Sequence, residues 1–380
     1  MADSYDVVVI GAGVFGSWIA HTLRASGHSV ALLDAYGAGN SRSSSGGESR
    51  IVRMGYGAQE IYTRWSLRSR ELWIGLFERI GRPELFLKTG VLWTPPATEC
   101  ESAEQTIATF RKCGVSFELL TSAQLAERFP QIRYTSERLG ILEPESGVVL
   151  ARRAVSAVVE DGLHNGLEYL SDAALATDGV QVTTASGRVL RAATFVYACG
   201  PWLPKIFRDI LAGRIRPTRQ EVFFFGTEPF DRQFTTPAMP AWLDFTDNLG
   251  AYALPDIESR GFKLAFDRHG PDFDLDTGDR VANGLAEART FLAERFPALA
   301  NAPLVESRVC QYENTSSGDF LIDQHPEYEN VWLVGGGSGH GFKHGPMVGE
   351  YVTALIEGRA TVEPRFALAN KALGAKRAVY

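Results

Sequence analysis

The fold is decided near the start of the chain by residues 6–16, which read Asp6-Val7-Val8-Val9-Ile10-Gly11-Ala12-Gly13-Val14-Phe15-Gly16. The run before the first glycine is short and largely β-branched, which is typical of a strand buried on both faces of a parallel sheet. The glycines have the spacing GxGxxG, and the helical pattern that follows continues to about Ser26, where Gly27 is suited to end it. The stretch therefore predicts a strand, a glycine-rich turn and a helix.

A second strand completes this unit over residues 29–33 and ends at Asp34. In such a βαβ unit Gly11 permits the tight turn, Gly13 lets the backbone approach a pyrophosphate, and Gly16 lets the helix pack closely on the strand. The free N–H groups of the helix favour phosphate, and an acidic residue after the second strand accepts hydrogen bonds from ribose hydroxyls. The pattern predicts a dinucleotide site that disfavours NADP but does not separate NAD from FAD. The alternative is a plain glycine turn beside a surface aspartate.

Beyond this unit, helical and strand-like patterns alternate along the chain. Long helices are predicted over residues 60–80 and 154–164, and a shorter one begins at Thr121, where Gln124 completes a capping box. Residues 219–266 are rich in strand patterns separated by proline-marked turns, which is typical of an antiparallel sheet.

These patterns predict an α/β fold made of two discontinuous domains, which a chain of 380 residues is long enough to build. The expected nucleotide-binding domain takes residues 1–86, 145–216 and 305–380, and the expected antiparallel-sheet substrate domain takes residues 87–144 and 217–304.

Composition excludes several classes of protein. The chain is 45% hydrophobic with a formal net charge of −7, and its basic residues form no runs, which argues against nucleic acid as a partner. No apolar run approaches the roughly 18 residues of a membrane span, and the start has no basic, apolar signal segment. Four widely spaced cysteines (Cys100, Cys113, Cys199 and Cys310) with no CxxC pair predict neither a disulfide framework nor a metal site. We therefore expect a soluble, cytoplasmic protein, and separately we expect it to be a monomer.

Three further segments bring together glycine, basic residues and a thiol. They read Gly46-Gly47-Glu48-Ser49-Arg50-Ile51-Val52-Arg53, Cys310-Gln311-Tyr312, and Gly339-His340-Gly341-Phe342-Lys343. With Arg219-Gln220 and residues 252–263 between them, they resemble, in the same order over nearly the whole chain, the monomeric sarcosine oxidase family, which are flavin amine oxidases of the D-amino-acid-oxidase structural class. The resemblance implies an FAD-binding Rossmann-like domain with an interleaved antiparallel-sheet substrate domain. It also implies oxidation of a secondary or N-methyl α-amino acid to an imine, with O2 reduced to H2O2.

The resemblance also implies roles for single residues. Cys310 would carry the flavin through a thioether to the 8α-methyl carbon, although a free cysteine is more often a small buried hydrophobe. Arg53 and Lys343 would clamp the substrate carboxylate, and Arg50 would lie over the flavin ring. Lys263 would lie below the ring and promote the reaction with oxygen, because a cation there stabilises the charge that develops on oxygen.

The same resemblance implies the remaining site residues. Tyr252, Tyr312 and His340 would line the substrate cavity. The residues expected to contact FAD are Gly11, Gly13, Val14, Phe15, Gly16, Asp34, Ser43, Ser49, Arg50, Gly200, Trp202, Cys310, Gly337, Gly339, His340, Gly341 and Lys343. The alternatives are ordinary: Arg50 and Arg53 in a solvated loop, exposed lysines at 263 and 343, and tyrosine and histidine as satisfied core residues.

Some positions depart from the family pattern. Asp267, followed by His269, stands where sarcosine oxidases carry a histidine; it would either favour a second cationic centre in the substrate or face solvent. Residues 223–225, all phenylalanine, and Trp242 favour a pocket for something bulkier than sarcosine. Three other functions therefore stay open: oxidation of a cyclic imino acid such as pipecolate or proline, or of a fructosyl amino acid; dehydrogenation with a quinone or protein acceptor; and flavin binding without catalysis.

Overall fold

The computed structural model describes residues 3–98, 100–177, 179–245, 250–268 and 270–374. Its α-helices are α1 (Val14–Ala25), α2 (Glu60–Arg79), α3 (Cys100–Cys113), α4 (Ser122–Arg128), α5 (Ala151–His164), α6 (Leu203–Ile206), α7 (Arg208–Leu211), α8 (Leu285–Arg295) and α9 (Gly345–Ile356). Across the described residues, no helix combines the length and the apolar character that a membrane span needs.

The strands, in chain order, are β1 (Asp3–Ile10), β2 (Val30–Asp34), β3 (Arg50–Val52), β4 (Phe86–Leu87), β5 (Val91–Trp93), β6 (Glu118–Leu120), β7 (Gly140–Glu143), β8 (Gly147–Val149), β9 (Glu168–Ser171), β10 (Ala174–Thr177), β11 (Gln181–Thr184), β12 (Val189–Tyr197), β13 (Ile215–Phe225), β14 (Ala241–Asp244), β15 (Ala251–Leu254), β16 (Phe262–Phe266), β17 (Leu304–Thr315), β18 (Leu321–Gln324) and β19 (Val331–Gly335). They form two large sheets and a small one in the order β3-β8-β4.

The first large sheet has the order β10-β11-β12-β1-β2-β9, with β19 also paired to β12 and β18 to β19. Its central pairs, β12 with β1 and β1 with β2, are parallel. Val7 and Val9 belong to the hydrophobic cluster on one face, whereas Val8 and Ile10 belong to the cluster on the other. Both faces of β1 are therefore buried, which explains its unbroken apolar sequence.

The second large sheet has the order β17-β13-β16-β15-β14-β5-β7-β6. All its pairs are antiparallel except β14 with β5. The long pair β13–β17 sets Gln220 opposite Cys310 and Thr218 opposite Tyr312. Strand alternation then decides which side chains of this sheet pack in its hydrophobic core and which lie on its opposite face.

Several predictions about the fold are confirmed. The α/β class is correct, and β1, α1 and β2 form the predicted unit, with Asp34 as the last residue of β2. Gly27 follows α1 with φ of 97°, a conformation that favours glycine. The capping box of α4 is present, because the Gln124 N–H donates to Thr121 Oγ1 (3.3 Å) and the Thr121 N–H donates to Gln124 Oε1 (2.9 Å).

The division into two discontinuous domains stays a prediction. The sheets bear on one of its boundaries, since β17 pairs with β13 in the second large sheet although residues 305–380 were assigned to the nucleotide-binding domain. β17 therefore links the two halves of the molecule, and its residues reach both the nucleotide cleft and the cavity beside it.

Candidate active site

A cleft of about 310 Å³ opens where strands of the first sheet end. In parallel α/β sheets this edge is where ligands bind. The predicted cofactor residues that line it are Gly11, Gly13, Val14, Phe15, Asp34, Ser43, Arg50, Gly200, Trp202, Gly337, Gly339 and Gly341. The glycines come from three separate turns, so bare backbone faces the cleft from several sides.

The glycine turn is closed towards the protein and open towards the cleft. Gly11 has φ of 103°, and a Cβ added there would lie 2.4 Å from the Ala198 carbonyl oxygen. A Cβ added at Gly16 would lie 1.8 Å from the Gly11 carbonyl oxygen, so this residue packs beneath the turn rather than lining the cleft. At Gly13 the nearest atom is Ser45 Oγ at 3.6 Å, which leaves room for a ligand at the helix N-terminus.

Asp34 faces the same cleft from the end of β2. Its carboxylate accepts hydrogen bonds from the Ala12 N–H (2.7 Å) and the Tyr36 N–H (2.8 Å), which fix its orientation. Burial raises the pKa of Asp34, although these hydrogen bonds oppose the shift. The fixed acceptor suits ribose hydroxyls, and its charge disfavours a 2′-phosphate. Turn, helix end and carboxylate together fit the dinucleotide part of FAD.

A second cavity, of about 80 Å³, adjoins the cleft, since Arg50, Tyr312 and Gly339 line both. The predicted site residues that meet in it are Ser49, Arg50, Arg53, Tyr252, Lys263, Cys310, Tyr312, Gly339, His340 and Lys343. They come from segments far apart in the sequence, and four of them are arginine or lysine. Basic side chains from both ends of the chain and from its middle are thus gathered around one small space.

Arg50 and Cys310 lie side by side. The Arg50 guanidinium donates to the Ser49 carbonyl (2.8 Å) and the Ser44 carbonyl (2.7 Å), and its Nη2 lies 3.7 Å from Cys310 Sγ. A Cβ at Gly47 would lie 2.3 Å from Arg50 Nη1, so the absence of a side chain at Gly47 lets the guanidinium rest on the loop. The thiol is only partly buried and is therefore reachable from the cavity.

Lys263 is a buried cation at the wall of the cavity. It is 3% exposed, while Phe262 and Leu264 on either side point into the core of the second sheet. Its Nζ donates to the Ser49 carbonyl (2.9 Å). Burial, and then the charge of Arg50, hold the pKa of Lys263 well below its ordinary value. The charged form of Lys263 is thus less favoured than that of an exposed lysine.

Arg53 and Lys343 form a second basic pair, joined through Tyr56. The Arg53 guanidinium lies 4.5 Å above the Tyr56 ring and 4.7 Å from the Trp93 ring, and it donates to the Gly55 carbonyl. Lys343 Nζ donates to Tyr56 Oη at 2.5 Å. Both cations line the cavity while lying 3–6% exposed, which suits them to an anionic group of a small ligand.

Tyr56 is the centre of a buried hydrogen-bond network that the sequence did not reveal. Its Oη lies 3.1 Å from His340 Nδ1 and 2.9 Å from His344 Nε2. Because His340 Nε2 lies 2.9 Å from the Gly318 carbonyl, that nitrogen carries a proton and donates to the carbonyl. Burial and the neighbouring Lys343 lower the pKa of His344 far below its usual range, so this histidine is neutral. The network fixes Lys343 on the cavity side.

Glu143 is a second residue that sequence reasoning missed. This buried carboxylate accepts hydrogen bonds from the Met54 N–H (2.7 Å), the Gly55 N–H (3.1 Å) and Trp93 Nε1 (2.7 Å). These groups flank the Arg53 side chain, so Glu143 holds the segment that positions the guanidinium.

The far wall of the cavity carries hydroxyl groups and a carboxylate. Burial raises the pKa of Tyr252 to about 12 and that of Tyr312 well above its ordinary value, so both hydroxyls stay protonated. Asp267 lines the same cavity and is 8% exposed, which rules out the expectation that it faces solvent. His269 lies outside the described residues.

The aromatic residues that were expected to favour a bulkier substrate do not line the cavity. Trp242 is fully buried in the core of the second sheet, together with Phe223 and Phe225. Because neighbouring residues of a strand face opposite ways, Leu243 faces the cavity in place of Trp242. Phe224 lies on the opposite face and lines a small space beside Lys263.

Comparison with known proteins agrees with this geometry. The family model described as FAD dependent oxidoreductase (DAO) matches residues 6–355. Monomeric sarcosine oxidase from Bacillus sp. (strain B-0618) is 31% identical over 365 residues, which cover 93% of this chain and 93% of that protein. N-methyl-L-tryptophan oxidase from Salmonella arizonae is 28% identical, with 91% and 93% covered. The structure of L-proline dehydrogenase from P. horikoshii shares the fold, with a TM-score of 0.84 over 97% of this chain and 98% of that chain at 23% identity.

Proposed function

Because the chain belongs to the DAO family of FAD-dependent oxidoreductases, and within it to the monomeric sarcosine oxidases, we propose that it oxidises the C–N bond of a secondary or N-methyl α-amino acid to an imine and reduces O2 to H2O2. One observation carries the proposal: Arg53, Lys263, Cys310 and Lys343 line a single cavity beside the nucleotide cleft. Within the proposal the enzyme is a cytoplasmic monomer.

In this proposal the residues of the cleft and those of the cavity bind different parts of the cofactor. The turn at Gly11 and Gly13 would hold the diphosphate, Asp34 the ribose, and the cavity around Arg50 and Cys310 the isoalloxazine ring. FAD, when bound, supplies the capacity to take two electrons from the substrate and return them to oxygen. The task of the protein is to orient the substrate and to tune charge around the ring.

Arg53 and Lys343 would hold the substrate by its carboxylate. The guanidinium offers a fork of donors and the ammonium a point charge, and both lie in a wall with little water to compete. Tyr56 holds Lys343 and Glu143 holds the Arg53 segment, so little side-chain order remains to be gained on binding. Such positioning of a substrate lowers the barrier by several kcal/mol.

Cys310 is proposed to carry FAD covalently through a thioether to the 8α-methyl carbon of the flavin. Its partly exposed thiol beside Arg50 supports this role. We expect protein precipitated by acid to stay yellow, whereas Cys310→Ala should release its FAD to the supernatant. Cys113→Ala is the matched control, because Cys113 lies on α3 away from both cavities and should leave the colour in the pellet. Release of FAD from the unaltered protein would refute the linkage.

Lys263 is proposed to promote the reaction of the reduced enzyme with oxygen. Lys263→Met should slow reoxidation by about 10²–10³-fold, the usual effect of losing one preorganised electrostatic contact, and should slow reduction by substrate far less. Rapid-mixing absorbance measurements separate the two half-reactions. Lys205→Met, which removes an exposed lysine paired with Asp276, is the control. Equal slowing of both half-reactions would contradict the role.

The depressed pKa of Lys263 adds a pH test. The charged form stabilises negative charge on oxygen, and the charged fraction falls as pH rises through the pKa. Reoxidation of the unaltered enzyme should therefore slow with rising pH, with a midpoint below the ordinary range of lysine, while the Lys263→Met protein should show no such step. A midpoint in the ordinary lysine range would show that burial does not act on this amine.

A substrate panel tests the proposed reaction against its alternatives. Sarcosine, N-methyl-L-tryptophan, L-pipecolate, L-proline and a fructosyl amino acid would be compared by H2O2 release. Turnover of an N-methyl amino acid with H2O2 supports the proposal. Turnover confined to a cyclic imino acid or a fructosyl amino acid would move the assignment to that class, and turnover only with an added dye acceptor would make the enzyme a dehydrogenase.

A further inference from the structure

Glu313 is a buried acid of β17 that no step above uses. It lies three residues after Cys310, but it faces the nucleotide cleft rather than the substrate cavity. Its Oε1 accepts a hydrogen bond from the Gly337 N–H at 3.2 Å. Its Oε2 is fully buried and has no hydrogen-bond partner among the described residues. A buried polar atom without a partner is uncommon in native proteins and calls for an explanation.

The positions next to Oε2 are occupied by glycines. A Cβ built at Gly335 would lie 3.3 Å from it, and one built at Gly200 would lie 3.7 Å away. Gly335 ends β19, and Gly200 follows β12 by three residues and lines the cleft, so neither position has a side chain that could reach the oxygen. Because Glu313 itself lines the cleft, a ligand there is the partner that this arrangement favours.

We propose that the Glu313 carboxyl group, in its protonated form, donates a hydrogen bond to an oxygen of the ribityl chain of FAD. The ribityl chain is the segment of FAD that joins the diphosphate to the ring. Glu313 occupies the matching position, between the phosphate turn at Gly11 and the cavity that contains Cys310. The inference rests on the cleft holding FAD, which family membership supplies, and not on the substrate proposed above.

The charge around Glu313 favours the protonated donor over an ionised acceptor. Within the described residues, no ion pair joins Glu313 to a basic side chain. The titratable group that faces it is the Cys199 thiol, which donates to the Ile10 carbonyl (3.4 Å) and is kept neutral because burial raises its pKa. An ionised carboxylate beside the FAD diphosphate would meet like charge with little solvent between them. Burial also raises the pKa of Glu313 to about 7.

The sign of the pH dependence follows by linkage. If bound FAD prefers protonated Glu313, the pKa of this group is higher in the complex than in the free protein. The affinity for FAD is then highest below about pH 7. It falls as the pH rises from the pKa of Glu313 in the free protein to its pKa in the complex, by up to about tenfold per pH unit. An ionised acceptor would give the opposite slope.

The dissociation constant of FAD should be measured from pH 6 to 9 with the holoenzyme of Cys310→Ala, in which FAD is held without a covalent bond. We expect it to rise roughly tenfold or more above pH 7, and to become independent of pH over this range when Glu313→Gln is added, since the amide always has a donor. Glu306→Gln, on the same strand but paired with Arg260, should keep the slope. A flat or opposite slope in the parent, or an unchanged slope after Glu313→Gln, would overturn the inference.

A second measurement needs no loss of Cys310. The infrared spectrum of the unaltered holoenzyme at pH 6.5 should contain the carbonyl stretch of a protonated carboxylic acid that shifts in D2O. The Glu313→Gln holoenzyme should lack that band, whereas Glu306→Gln should keep it. If the band is absent from the unaltered protein, or persists without Glu313, this residue is not the buried donor, whatever the substrate of the enzyme proves to be.

Discussion

Arg53→Met is expected to lower kcat/KM for an N-methyl amino acid by about three orders of magnitude, which corresponds to about 4 kcal/mol of transition-state stabilisation. Arg53 is 6% exposed and lines the cavity, so the substrate carboxylate would lose a forked, charge-assisted partner in a site with little water. Removing one side of a desolvated charge pair commonly costs about 2–5 kcal/mol. Methionine keeps an apolar side chain between the Tyr56 and Trp93 rings. Steady-state kinetics with H2O2 detection gives the ratio.

Three controls separate loss of the clamp from general damage. The kcat/KM of Arg53→Lys should lie between those of the unaltered enzyme and Arg53→Met, because lysine keeps the positive charge but lacks the forked donor group. A secondary amine of similar size without a carboxylate should be a poor substrate whose kcat/KM changes little in Arg53→Met. Arg64→Met, which removes an exposed arginine of α2 paired with Glu60, should leave the kinetics unchanged. An equal loss for the carboxylated and the uncarboxylated amine would remove Arg53 from the clamp.

Gly16→Ala is expected to yield protein without flavin and with a free energy of unfolding lowered by about 3 kcal/mol or more. The added Cβ would lie 1.8 Å from the Gly11 carbonyl oxygen, which is backbone and cannot rotate away. Relief would require the turn that receives the diphosphate to move away from α1. The flavin absorbance of the purified protein and a urea unfolding curve would measure the two effects.

The control for this substitution is another helical glycine. Gly75 lies in α2, is exposed, and has no atom within 4 Å of an added Cβ. Gly75→Ala should therefore raise stability by about 0.5–1 kcal/mol, the ordinary gain of alanine over glycine in a helix, and should leave the flavin in place. If Gly16→Ala behaved like Gly75→Ala, the close packing of α1 under the turn would not be needed for the cofactor.

Two kinds of feature could be predicted from the sequence: local structure, and roles implied by the resemblance to a known family. The βαβ unit follows from the spacing of its glycines and from Asp34, because strand, turn and helix are contiguous there. Around Lys263 the period of two of a strand is visible in the sequence, and the structure places Phe262 and Leu264 in the core with Lys263 on the cavity side. Trp242 was misplaced because the same period fixes the face only once the register of β14 is known, and that register is set by pairing with distant strands.

The missed residues share one physical reason. Tyr56, Glu143 and Glu313 matter because of what surrounds them, and those partners lie up to 288 residues away in the chain. In the sequence, Glu143 looks like an ordinary loop carboxylate before Pro144. Glu313 looks like an ordinary charged residue that follows a tyrosine. Burial of a polar atom is a tertiary property, so no spacing in a single sequence announces it.

The central claim is that one ring system lies between the phosphate turn and the basic cavity and is reduced by a carboxylated amine bound at Arg53 and Lys343. Anaerobic mixing of the yellow protein with sarcosine or N-methyl-L-tryptophan tests it most directly. We expect the flavin absorbance to bleach, and to return on admission of oxygen together with one equivalent of H2O2. A flavin that stays oxidised with both compounds, yet is bleached by an amine lacking a carboxylate, would contradict the account.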